Sequence, residues 1–109
     1  MSEIGYTTDI KTGLPIIDKG DGETLDYPFD FTEMLTDVDD KIANTTGSAV
    51  SYLLSAGLSL VSQQNTDYVA SPLIAGGTIG AKASVRCTIT TLAGRIFERT
   101  ILINIKESL

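Results

Sequence analysis

At 109 residues, 42% apolar and 20% charged, the chain has the size and composition of one globular domain rather than a disordered segment or two domains. Its formal charge of −6 is unevenly laid out: residues 1 to 40 hold eleven acids and two bases, residues 41 to 109 three acids and six bases. An acidic first third argues against nucleic acid and against an anionic membrane surface, since both need clustered Lys and Arg.

The opening Met1-Ser2-Glu3-Ile4-Gly5 has neither a basic start nor an apolar core, so no secretory signal is expected. Residues 1 to 20 read as an extended arm. Ile4, Tyr6, Ile10, Leu14, Ile16 and Ile17 are scattered among Gly5, Gly13, Pro15 and Gly20, which oppose a helix. One edge strand is expected near Tyr6 to Lys11. Ile4, Tyr6, Ile10, Ile16 and Ile17 are apolar yet stand outside any core pattern, and are the candidate partner-contact residues.

The rest, 21 to 109, reads as a single β-sandwich domain. After the turn at Gly20-Asp21-Gly22, Leu25, Tyr27, Phe29 and Phe31 alternate with polar residues, as in a half-buried strand. Pro28 lacks an N–H, which predicts an edge or an irregularity. Thr32 is placed to cap one helical turn through Met34 and Leu35. Strand is expected at Lys41 to Ala43 and Ala49 to Leu54, split by the turn-prone Asn44-Thr45-Thr46-Gly47, then again after Gly57 and over Tyr68 to Ala75. Gly76-Gly77 turns into a long final hairpin, Ala81 to Thr91 and Arg95 to Lys106, joined by Leu92-Ala93-Gly94. Val85, Cys87 and Ile89 share one face of its first strand; Phe97, Ile101, Ile103 and Ile105 share one face of its second. Six to eight short strands with turns every eight to twelve residues predict an all-β, antiparallel sandwich.

Chemistry is sparse. No histidine is present, which removes the commonest general base and transition-metal ligand. The single Cys87 allows no internal disulfide and, in mid-strand, reads as a small buried apolar residue rather than a nucleophile. The acids from Asp18 to Glu23 fail the EF-hand spacing, and Asp37, Asp39 and Asp40 read as a turn with solvated carboxylates. No catalytic set, cofactor or metal is expected.

The ordered series Leu73-Ile74-Ala75-Gly76-Gly77-Thr78, Gly80, Ser84 to Thr91, Gly94-Arg95 and Glu98-Arg99 resembles the C-terminal half of small phage fibre–tail adaptor proteins. Glu23 to Tyr27 with Phe29-Asp30-Phe31 resembles that family's opening strand, and Gly57 to Leu60 its middle one, so the likeness covers about residues 20 to 106. Phe97 stands where the family usually has an aspartate, and the arm has no clear counterpart. The resemblance implies an immunoglobulin-like sandwich in a phage tail or neck. It would be made in the host cytoplasm, join the tail to a receptor-binding fibre, and stand in a symmetric ring with copies of itself. A capsid decoration protein and a sandwich module binding cell-surface glycans are the alternative readings.

Overall fold

The structure, a computed structural model, describes residues 7–8 and 15–108. Among them, nine strands and one short helix follow in order: β1 (Thr7–Thr8), β2 (Pro15–Gly20), β3 (Leu25–Asp26), β4 (Phe29–Asp30), α1 (Thr32–Thr36), β5 (Val50–Leu54), β6 (Leu58–Asn65), β7 (Val69–Gly76), β8 (Lys82–Thr90) and β9 (Ile96–Lys106). They form two sheets, one ordered β1-β2-β9-β8-β5 and one with β7 at its centre, β6 on one side and β3 and β4 on the other. The all-β sandwich is as predicted.

Alternation explains the final hairpin. Ala83, Val85, Cys87 and Ile89 of β8 are fully buried, and Ile101, Ile103 and Ile105 of β9 join them on the same side. The pair runs antiparallel from Lys82↔Asn104 to Thr90↔Ile96. Facing it, Tyr27, Phe29 and Phe31 fill the second sheet's inner side together with Ala70 and Ile74. Across the gap the rings of Phe29 and Tyr52 sit 6.3 Å apart, tilted, a favourable edge-weighted arrangement. The expected strand from Leu25 to Phe31 is broken into β3 and β4 around Tyr27 and Pro28, because Pro28 has no N–H to give the ladder.

Three expectations are corrected. First, Pro15–Gly20 belongs to no arm. It is β2, hydrogen-bonded beside β9 from Ile16↔Leu102 to Gly20↔Lys106, and this pairing is parallel whereas the others are antiparallel. A proline at the first strand position and a glycine at the last are both tolerated there, so the composition conceals a strand. The two described residues of the predicted edge strand, Thr7 and Thr8, are β1 on the outer side of β2. Second, Lys41–Ala43 contributes only an isolated bridge, Ile42↔Thr91, although Ile42 is buried. Third, Thr32 is not the cap of α1. The residue before the helix is Phe31, without a side-chain cap, and the Asp30 carboxylate accepts hydrogen bonds from the Thr32 N–H (2.9 Å) and hydroxyl instead.

Lys19 is a further departure, since a lysine is rarely buried unless paired. Its side chain is buried on the same face of β2 as Ile17, and Nζ donates to the carbonyls of Gly20 (2.8 Å) and Gly76 (2.7 Å), tying β2 to the end of β7. Burial lowers its pKa, with Glu23 and Asp21 opposing the shift. On the far side, β6 is an edge strand with a bulge: Leu60 faces Ile74 and Ser62 faces Leu73, so Val61 is the extra residue and stands exposed.

The Gly76-Gly77 turn depends on glycine at its second position. Gly77 has φ +115°, and a Cβ there would meet Ile105 Cδ1 at 2.6 Å. Gly94 has φ +88° with open space around it. Replacing Gly77 by Ala is therefore expected to cost at least about 2 kcal/mol from strain plus overpacking. Gly94→Ala is expected to cost only about 1–2 kcal/mol from strain. Urea unfolding of the two variants checks the order; equal losses would refute it.

Candidate functional site

Of the five predicted partner-contact residues, Ile4, Tyr6 and Ile10 lie outside the described residues. Ile16 and Ile17 are consecutive in β2, so their side chains point to opposite faces. Ile17 is a core residue, 8% exposed, and packs among the inner-face side chains. A partner could reach it only by opening the sandwich, which corrects its expected role. Ile16 sits opposite Leu102 in the parallel register, and both are buried though neither belongs to the core cluster. The structure therefore does not bring Ile16 and Ile17 together as one contact surface.

Cys87 lies at the centre of β8, fully buried, and burial pushes its thiol up to about 12 against a weak pull from the Tyr52 hydroxyl. The Tyr52 side chain faces it across the β5–β8 register, and burial raises that hydroxyl as well. A thiol held protonated in this way is packing material rather than a nucleophile. Among the described residues no three His, Cys, Asp or Glu side chains are placed to hold a metal ion. Asp18 instead meets Lys106 at 2.9 Å on the surface and accepts from Asn104 at 3.3 Å, which lowers its pKa.

What the surface offers is shape and apolar side chains. Leu92 and Ile96, at the tip of the β8–β9 hairpin, are 59% and 66% exposed. The tip is held rigidly from behind. Thr91 N–H donates to the Arg95 carbonyl (2.9 Å), Gly94 N–H to the Thr91 carbonyl (3.0 Å), and Leu92 N–H to the Lys41 carbonyl (3.0 Å). The Asp40 side chain, only 2% exposed, completes the support: Oδ2 accepts from Arg95 Nη1 at 2.8 Å, and Oδ1 accepts from the N–H groups of Lys41 (2.8 Å) and Ala93 (3.3 Å). A buried carboxylate survives only with partners of this kind. The Thr91 hydroxyl foremost, then Arg95 and the two N–H groups, bring its pKa down to about 2 against the opposing effect of burial.

Beside the tip, α1 and the start of β9 enclose a shallow groove of about 610 Å³. Its floor is Met34, Val38 and Phe97, and its rim carries Asp30, Glu33 and Asp37. Arg99 lies along it, with Nη2 3.9 Å from Met34 Sδ and Nη1 donating to the Glu98 carbonyl at 3.0 Å. A second cleft, of about 540 Å³, opens where β2 begins, lined by Pro15, Pro28, Phe29 and Ile101 together with the charged Asp30, Arg86, Glu98 and Arg99.

The sequence reading missed the tip and the groove. One signal was present: Leu92 is a large apolar residue in a turn, where polar or glycine residues are the norm. Asp40 carried none, because a buried acid looks like any other acid in a run of acids.

Residues 19–104 match the family model described as podophage GP4 fiber-tail adaptor protein gp77, from inside β2 to near the end of β9. No curated protein matches the chain.

Two outcomes are expected from these sites. Because Asp40 titrates lower in the fold than the ordinary 3.8, its contribution is complete above that value and is lost as pH falls toward about 2. Asp40→Asn should thus be less stable at neutral pH, and the gap to wild type should close through this acid window. Parallel melting curves across it would remove the clamp. Cys87 should resist alkylation at mildly alkaline pH until denaturant unfolds the chain; rapid labelling of the native protein would contradict its burial.

Proposed function

The chain belongs to the podophage fibre–tail adaptor family, and from that membership we propose that it is a virion structural protein joining the tail, or its neck, to receptor-binding fibres by protein–protein contact. The observation that carries the reading is the family match over residues 19–104, which spans nearly the whole sandwich. The structure is compatible with a connector: rigid sheets, an inert thiol, and clefts suited to side chains of another protein. Copies of the chain arranged in a symmetric ring around the tail are part of the proposal, as are the residues before β2, including Ile4, Tyr6 and Ile10, as partner contacts. The acidic first third keeps the protein from nucleic acid and from anionic membranes.

The test uses particles. In a phage whose gene for this protein carries an early stop, tails should assemble without fibres, and purified protein added back should restore fibre attachment. Particles that keep their fibres would defeat the reading. Loss of head stability with fibres in place would instead assign the protein to capsid decoration.

A further inference from the structure

We propose that Lys19 is a latch, and that β2 is a strap which this side chain fastens to the sandwich and which opens as a unit while the rest of both sheets stays folded. Lys19 is then a positioning residue: it fixes the strand that carries the N-terminal residues offered above as partner contacts. That bearing on partner contact rests on the adaptor reading, whereas the latch itself rests on geometry alone.

The strap is joined to the body at few places. β2 pairs with β9 over Ile16 to Gly20, in parallel, and on its other side meets only the two residues of β1. A parallel ladder is slightly weaker per residue than an antiparallel one. Taking β2 away leaves the β8–β9 ladder complete from Lys82↔Asn104 to Thr90↔Ile96, and leaves the β5–β8 pairing and the second sheet untouched. Of the side chains of β2, Ile17 alone belongs to the core cluster. The ends suit release as well. Pro15 brings no N–H to the ladder, and beyond Gly20 the chain turns through Asp21 and Gly22 before β3 begins at Leu25.

What opposes release is the ammonium. Lys19 is 1% exposed, and of its two acceptors the Gly20 carbonyl is on β2 itself while the Gly76 carbonyl is on β7. The second bond therefore crosses from one sheet to the other. Its acceptor is held in place from behind: the Gly77 N–H donates to the Gly57 carbonyl (3.2 Å) and the Thr78 N–H to the Ala56 carbonyl (2.9 Å). Asp18 and Lys106, at the same end, pair with each other at 2.9 Å on the surface and give Lys19 no such anchor. Closing β2 takes a charge out of water, which is costly unless fixed acceptors receive it. Opening returns the charge to water. A strand with one core side chain and one desolvated charge belongs at the low end of local stability, and the bond to Gly76 decides how often it opens.

The experiment is amide hydrogen exchange of the full chain, read residue by residue at neutral pH, on wild type, Lys19→Met and Lys106→Met. In wild type the amides of β2 should already exchange at least about tenfold faster than those of β8, as a separately opening unit does. Lys19→Met keeps the length of the side chain and removes its donors. It should speed exchange in β2 a further tenfold or so, the scale of a lost hydrogen bond from a charged donor, and leave β8 unchanged. Lys106→Met removes a lysine from the same end of the molecule and should leave both strands as in wild type.

Equal protection of β2 and β8 in wild type would overturn the strap. So would a Lys19→Met chain in which both strands lose protection together, or which does not fold, since β2 would then be part of one indivisible unit. Unchanged or slower exchange of β2 in Lys19→Met would overturn the latch, because an apolar side chain would serve there as well. Each of these results leaves the adaptor reading standing, which fails only if fibres attach without the protein.

Discussion

The fold hangs on the eleven residues of β9. From Ile96 to Asn104 β9 pairs antiparallel with β8, and from Leu102 to Lys106 it pairs in parallel with β2 on the other side. The same strand sends Ile101, Ile103 and Ile105 into the core. Each fully buried side chain of this size contributes roughly 1.5–3 kcal/mol, and here three of them stand on one strand, Ile101 paired with β8, Ile105 with β2 and Ile103 with both. The parallel contact is the demanding one. It joins residue 16 to residue 102, so the chain must close nearly its full length before that strand pair forms.

How much of this was legible from the sequence depends on whether a strand alternates. The last hairpin does, through Val85, Cys87, Ile89, Ile101, Ile103 and Ile105, and its two strands appear where periodicity put them, give or take a residue. The aromatic run Tyr27, Phe29 and Phe31 was equally plain, and Pro28 announced its interruption. β2 was hidden because Pro15, Gly20 and the charged Asp18 and Lys19 break every local strand signal; only pairing with a distant segment makes it one. Lys19 defeats composition arguments altogether, since its enclosure depends on carbonyls brought near by the Gly76 turn.

The surface was less legible than the core for a physical reason. A buried face is selected for one property, and that property repeats every second residue. A contact surface is assembled from pieces of different elements, as Met34, Val38 and Phe97 are, and no period links them. Asp40 illustrates the same point. Its importance lies in the two loops it joins, and a single acid in a run of acids carries no mark of that. The family resemblance worked where these arguments did not, because the order of its turns is retained even though each turn alone is commonplace.

The bulge at Val61 has a consequence for a protein that is crowded together in a particle. An intact outer strand is a template on which a neighbour's backbone can add itself, and then another, without limit. By inserting one residue between Leu60 and Ser62, β6 puts its free N–H and C=O groups out of step. A second chain laid along that border would find a ladder with a missing rung, which discourages runaway fibril growth.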